Sequence, residues 1–161
     1  MKRNKTAIIG LGNRLLADEG AGLCAIELLR SKLEQEPLPF PGVDLVEAGT
    51  PGMNLLHQLD EREKIIFIDA GNCGIAAGDY RRFLPEDAVS LKEIKNRSLH
   101  EFDLIRFLEF AQKLGKTQNM EIIIYCIQAV DMSLTETLSP EVQRNLPALV
   151  QDVYNEIKDG N

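Results

Sequence analysis

Short apolar runs alternate with segments of helical periodicity along the whole chain, and this alternation limits the fold more than any other feature. The strongest run, residues 65–68 (IIFI), is continuous and rich in β-branched side chains, which is typical of a strand buried on both faces. Weaker runs predict two further buried strands at residues 6–10 and 121–127, and another strand at residues 43–48. Residues 79–84, which contain two arginines, predict an edge strand.

Helices are predicted between these strands. One begins near Asp18, and a second follows Thr50, whose side chain is expected to cap it. The third opens with Ser98-Leu99-His100-Glu101, a capping box, and the last begins at Ser139, just before a proline. Strands that alternate with helices predict an α/β fold in which helices cover both faces of a mainly parallel sheet.

Length and charge narrow the class of protein. The chain has 161 residues, which suits a single domain spanning residues 1–161. Lys and Arg number 18 against 25 Asp and Glu, so the net charge of -7 argues against binding to nucleic acid or to anionic membranes. The longest strongly apolar run, residues 122–127, is far shorter than the roughly 18 residues of a membrane span. We expect a soluble, monomeric cytoplasmic protein.

The three cysteines are widely spaced and form no C-x-x-C pair. A disulfide framework or a structural zinc site is therefore not expected, and a reducing compartment fits best. Cys24 in a helix and Cys126 in a strand are expected to be buried. Cys73 differs because it follows Asp69 in the loop after the most apolar strand.

Three unusual positions map to the carboxyl edge of the predicted sheet, where ligands bind in such folds. Asp18-Glu19 follows the first strand, Asp69 ends the most apolar strand, and His100 lies in the first turn of a helix. Taken singly, each acid could serve only a helix dipole or a turn. Together, two carboxylates and an imidazole from three loops form the donor set of a divalent-metal site with open positions. His57, on the flank of a short helix, is expected to be solvated.

A dinucleotide site is the weaker alternative. Gly10 and Gly12 match the first two glycines of G-x-G-x-x-G, but Leu15 stands at the third glycine position. Asp18-Glu19 would also place carboxylates where a pyrophosphate meets the helix N-terminus. Glu47, at the end of the second strand, could still hold a ribose, so the alternative stays open.

The order of several short motifs resembles that of the nickel–iron hydrogenase maturation endopeptidases, over almost the whole chain. The similar segments are Gly10-Leu11-Gly12-Asn13, Asp18-Glu19-Gly20-Ala21-Gly22, Glu47-Ala48-Gly49-Thr50, Ile68-Asp69-Ala70, Ser98-Leu99-His100 and Ile127-Gln128. The resemblance implies a three-layer αβα sandwich of the phosphorylase/hydrolase-like kind. It also implies removal of a C-terminal extension from the hydrogenase large-subunit precursor after nickel insertion.

The same resemblance implies which residues act. Glu19, Asp69 and His100 would be the catalytic and metal-binding set, with nickel supplied by the precursor and other divalent ions able to occupy the site. Glu47 stands where the family usually has aspartate, and with Gly49 and Thr50 it would contact substrate. Residues 126–129 (CIQA) lack the family's usual glycine and proline. A non-catalytic nickel-sensing or docking module therefore remains an alternative.

Overall fold

Five strands form one sheet in the computed structural model, which describes residues 3–36, 42–87 and 103–159. Their order across the sheet is β2-β1-β3-β5-β4. Only β4 runs antiparallel, paired at the edge with β5, so the predictions of a mainly parallel sheet and of an edge strand are confirmed. The bounds are β1 Thr6–Gly10, β2 Val43–Glu47, β3 Lys64–Gly71, β4 Tyr80–Phe83 and β5 Glu121–Gln128.

Helices cover both faces of this sheet, as the alternation of apolar runs predicts. They are α1 Ala21–Glu34, α2 Met53–Leu59, α3 Asp103–Lys113 and α4 Pro140–Lys158. Successive side chains of a strand point to opposite faces. Ile66 and Ile68 therefore pack with α1 and α4, whereas Ile65 and Phe67 pack with α2 and α3. The resulting α/β fold is a three-layer αβα sandwich.

One predicted helix start is wrong, and another differs in the form of its first turn. Residues Ala17–Gly20 form a 3-10 turn that runs directly into α1 at Ala21, so the helical segment begins near Asp18 as predicted, but its first turn is not α-helical. The second helix begins at Met53 after Gly52 and has no side-chain cap, so Thr50 does not cap it. The last helix begins as predicted, because the Ser139 hydroxyl accepts a hydrogen bond from the backbone N–H of Val142 at 3.4 Å. The predicted capping box at residues 98–101 lies outside the described residues.

A salt bridge joins the edge strand β4 to α4. Arg82 donates two hydrogen bonds to the Glu156 carboxylate, at 2.8 and 3.0 Å. The Tyr125 hydroxyl of β5 donates to the same carboxylate at 2.9 Å. The Arg82 contact holds the pKa of the Glu156 carboxyl below its usual range. Because a bidentate arginine–carboxylate pair is directional, it fixes β4 against the last helix.

The strand order reverses direction at one place in the sheet. The chain passes from β1 outward to β2, and later from β3 outward in the opposite direction to β5. In open α/β sheets, such a reversal between neighbouring strands leaves a crevice at their carboxyl ends, and ligands bind there. The loops after β1 and β3 therefore border the place where a site is expected. None of the helices in the described part of the chain could span a lipid bilayer.

Candidate active site

The glycines around the start of α1 let the helix sit directly on the strand ends. A Cβ at Gly22 would lie 2.3 Å from the carbonyl oxygen of Leu11 and 2.5 Å from that of Ile68. A Cβ at Gly10 would lie 2.3 Å from the carbonyl oxygen of Gly22. These approaches are too close for any side chain, so the glycines bring the N-terminus of α1 against β1 and β3.

Gly12 positions the turn that carries Glu19. Its φ of +130° lies in a region that favours glycine, and a Cβ there would lie 1.8 Å from the Glu19 carbonyl oxygen. The backbone N–H of Asn13 donates to the same carbonyl at 3.2 Å. Glu19 itself is half-buried. The 3-10 turn is therefore folded back against the loop after β1, at the crevice between β1 and β3.

Asp69 lies near the carboxyl end of β3, beside this turn. The backbone N–H of Leu11 donates to the Ile68 carbonyl at 2.9 Å, which joins the loop after β1 to this end of β3. Asp69 is half-buried, and its Oδ1 accepts from the N–H of Ala70 at 2.9 Å. The predicted placement of both acids at one edge of the sheet agrees with the fold, with Glu19 on the turn after β1 and Asp69 within the last residues of β3.

The third predicted ligand, His100, lies outside the described residues. Across residues 3–36, 42–87 and 103–159, no three or more His, Cys, Asp or Glu side chains are arranged to hold a metal ion. The set Glu19, Asp69 and His100 therefore stays a prediction. His57 is solvated as expected, since its side chain is 77 % exposed.

Asp18, the neighbour of Glu19, is fully buried and holds a distant loop. Its Oδ2 accepts from the N–H groups of Val130 and Asp131 at 2.8 and 2.9 Å. Its Oδ1 accepts from the N–H of Ser139 at 2.7 Å. Burying a carboxylate is costly unless such hydrogen bonds replace its water. Asp18 therefore anchors the loop after β5, a role that sequence reasoning missed.

Glu47, at the end of β2, is engaged by two arginines. Arg14 lies 2.9 Å and Arg30 lies 3.3 Å from its carboxylate oxygens. The hydrogen bond from Arg14 holds the pKa of the Glu47 carboxyl below its usual range. A carboxylate paired in this way is a weak proton acceptor, so Glu47 is poorly suited to act as a general base.

The two residues that follow in the same motif border the glycine turn. Gly49 and Thr50 are both exposed. The Gly49 carbonyl accepts from the N–H of Gly12 at 3.3 Å, so this segment runs beside the loop after β1. Its exposed backbone is accessible to a chain that approaches the carboxyl edge.

The expectation of no disulfide is wrong, because Cys73 and Cys126 are bonded to each other. Their Cα atoms are 6.2 Å apart, although 53 residues separate them in sequence. The β3–β5 register places Cys126 beside Asp69, and the loop after β3 brings Cys73 back over β5. Gln128 supports this loop, since its Oε1 accepts from the N–H groups of Cys73 and Gly74 at 2.9 and 3.0 Å.

Cys24 and Cys126 are less buried than expected. Cys126 and Cys24 are both half-buried, and Cys24 is a free thiol. Burial still raises the pKa of the Cys24 thiol, which keeps it protonated and a poor nucleophile near neutral pH.

Breaking the cross-link should destabilise the protein measurably. We expect Cys73→Ser to lower the free energy of unfolding by about 3–4 kcal/mol without reductant, because the bond restricts a long loop in the unfolded chain. Urea unfolding with and without dithiothreitol measures this. Dithiothreitol should weaken the parent protein and a Cys24→Ser control, but not Cys73→Ser. A parent protein equally stable with and without dithiothreitol would contradict the expectation.

Comparison with known proteins decides the family. The family model of the HycI hydrogenase maturation proteases matches residues 26–156, which is most of the chain. The chain belongs to this family. It is 29 % identical over 151 residues to the hydrogenase expression/formation protein HoxM of Cupriavidus necator, covering 94 % of this chain and 71 % of that protein. It is also 29 % identical to a putative hydrogenase maturation protease of Methanocaldococcus jannaschii, covering 98 % and 99 %.

Solved structures agree with this assignment. The [NiFe] hydrogenase maturation protease HybD from Thermococcus kodakarensis has a TM-score of 0.75 at 27 % identity, covering 95 % of this chain and 99 % of that one. The maturating endopeptidase HybD from E. coli shares the fold, with a TM-score of 0.79 at 22 % identity over 98 % and 94 % of the two chains.

The chain is therefore a peptidase of the hydrogenase maturation protease family. This assignment disfavours both alternatives raised by the sequence. A dinucleotide-binding domain is not a peptidase, and a purely docking module would lack the peptidase activity for which the family is named.

Proposed function

We propose that this peptidase removes the C-terminal extension of a nickel–iron hydrogenase large-subunit precursor after nickel has been inserted. The bound nickel belongs to the precursor, and Glu19, Asp69 and His100 are the residues that contact it. In this proposal the enzyme recognises the metal on its substrate, so it cleaves only a precursor that has received nickel. We place the reaction in the cytoplasm and take the enzyme to be a monomer.

The approach of the Glu19 turn to the end of β3 that carries Asp69 is the single observation that carries this proposal. Gly12 and Gly22 allow the turn with Glu19 to lie against the strand end that carries Asp69. Both carboxylates are half-buried, which keeps them accessible to an incoming group while limiting their hydration. One acidic side chain from a turn and one from the end of a strand, both at this edge of the sheet, favour a cation as the shared partner.

The chemistry of the three donors suits a transient contact with nickel. Two carboxylates and one imidazole supply oxygen and nitrogen donors but no thiolate, so they give no tight hold on a resident ion. Three donors also leave positions free for the ligands that the precursor already provides. Nickel held there would supply a Lewis acid, able to polarise the scissile carbonyl or lower the pKa of a water molecule.

Other residues of the same edge are proposed to bind the peptide. The exposed backbone of Gly49 and Thr50 runs beside the loop after β1 and is positioned to contact an extended chain. Glu47 would contribute indirectly, because its salt bridge holds the Arg14 side chain at the carboxyl edge of the sheet. Since Glu47 is a weak base, Asp69 is the better candidate for accepting a proton if a carboxylate activates water.

Cleavage of nickel-loaded and nickel-free precursor tests this proposal. We expect the parent enzyme to shorten only the nickel-loaded precursor, and His100→Ala to shorten neither, as measured by intact-mass spectrometry. His57→Ala, which changes the exposed second histidine, is the matched control and should cleave as the parent does.

Two outcomes would overturn the proposal. Equal cleavage of both precursors by the parent enzyme would contradict recognition of nickel. Unimpaired cleavage by His100→Ala would remove His100 from the site and leave Glu19 and Asp69 without their third partner.

A further inference from the structure

Exposed apolar side chains concentrate at the carboxyl edge of the sheet. Five of the eight large apolar side chains that are exposed in the described residues lie on loops or at a helix start at this edge. Four of them form what we term the apolar rim: Leu15 after β1, and Val130, Met132 and Leu134 after β5. Their exposed fractions are 53, 47, 42 and 83 % in that order. Exposed apolar groups gathered in this way mark interaction sites more often than isolated ones do.

The backbone of the rim is held firmly, although its side chains point into solvent. The carboxylate of Asp18 accepts from the N–H groups of Val130 and Asp131, and the N–H of Asp18 donates to the Asp131 carbonyl at 3.0 Å. The N–H of Ala17 donates to the Thr135 carbonyl at 2.7 Å. A surface ordered before binding loses less conformational entropy when a partner arrives, so the rim is preorganised for contact.

The two loops of the rim lie side by side and adjoin the proposed site. Leu16 and Thr135 form a parallel bridge, so the preceding residues, Leu15 and Leu134, are neighbours across it. Leu15 is also only four positions before Glu19 in the chain. A protein that brings a bond to Glu19 therefore approaches the enzyme beside the rim.

From these observations we infer that the apolar rim is the docking surface for the hydrogenase precursor protein, beyond the peptide that is cut. The inference rests on the proposed function. The rim is continuous with the edge where that substrate must enter, so the folded part of the precursor comes to lie against it. A second copy of this chain fits less well. Four partly exposed side chains fall well short of the roughly 800 Å² per partner buried in a stable dimer, whereas a brief enzyme–substrate contact needs less.

Kinetics with rim variants test this inference. The double variant Met132→Ser with Leu134→Ser removes the centre of the rim, and Leu28→Ser with Leu114→Ser removes two exposed leucines elsewhere as a matched control. We expect the rim variant to raise KM for nickel-loaded precursor about tenfold or more, with kcat nearly unchanged. The control pair should leave both constants near those of the parent. Thermal unfolding checks that all variants remain folded.

The outcomes separate the rim from the proposed function. If the parent cleaves the precursor but the rim variant has the same KM as the control pair, the rim inference is wrong and the proposed function stands. If the parent neither binds nor cleaves the precursor, both the rim inference and the proposed function are wrong. Sedimentation of the enzyme alone is the second readout. A parent dimer that the rim variant converts to a monomer would assign the surface to self-association and overturn the inference.

Discussion

Asp69→Asn and Glu19→Gln should each reduce cleavage of nickel-loaded precursor by about 10²–10³-fold. Each substitution removes a negative charge while retaining the size of the side chain. In the proposed mechanism these charges contact the substrate's nickel, and loss of one fixed electrostatic group at a reacting centre typically costs this much. Single-turnover cleavage with enzyme in excess measures the effect without a contribution from product release.

The control for these two variants is Asp159→Asn, which changes an exposed carboxylate just after α4. It should cleave at the parent rate. Both site variants should also unfold at nearly the parent temperature, because their carboxylates are not the buried anchor of the fold. Parent-like cleavage by either site variant would exclude that residue from the reaction.

Asp18→Ala should cause the largest loss of stability. The substitution leaves the N–H groups of Val130, Asp131 and Ser139 without their acceptor. An unsatisfied buried donor costs about 1–3 kcal/mol. The N–H groups of Val130 and Asp131 are only partly buried, so water can reach them and the summed loss of stability is smaller. We expect the free energy of unfolding to fall by about 3–5 kcal/mol and the melting temperature to fall by about 10 °C.

Asp18→Asn is the informative companion to this variant. Its amide keeps one acceptor but places an NH2 group against backbone donors, so it should recover only part of the lost stability. Glu19→Gln, at the next position, changes a half-buried side chain and should remain near the parent value. Calorimetry of the three variants measures the contrast. Equal melting temperatures for Asp18→Ala and the parent would contradict the anchoring role.

The sheet could be read from sequence because each of its buried strands is a short apolar run. Residues 65–68 are covered on both faces, so hydrophobicity alone marks them. The two arginines of residues 79–84 indicated an edge strand for the same physical reason, since charge is tolerated where one side of a strand faces water. Glu19 and Asp69 could be placed at the carboxyl edge of the sheet from strand direction alone, without knowledge of any contact between them.

The features that the sequence did not predict depend on contacts between distant residues. The turn before α1 is not α-helical because residues 17–20 bond to the loop after β5, and Ala17 there adopts a φ of +46°. Asp18 reaches backbone groups more than 110 positions away. Cys73 and Cys126 meet only because β3 and β5 are neighbours in the sheet. No local pattern of residue types encodes such pairings.

Anomalous diffraction from crystals of the parent enzyme soaked in nickel or cadmium is the most direct test of the proposed metal contact. We expect one ion in the crevice between β1 and β3, within bonding distance of carboxylate oxygens of Glu19 and Asp69 and of an imidazole nitrogen of His100. An ion bound elsewhere while this crevice holds none, or His100 too distant to share an ion with the two acids, would contradict it.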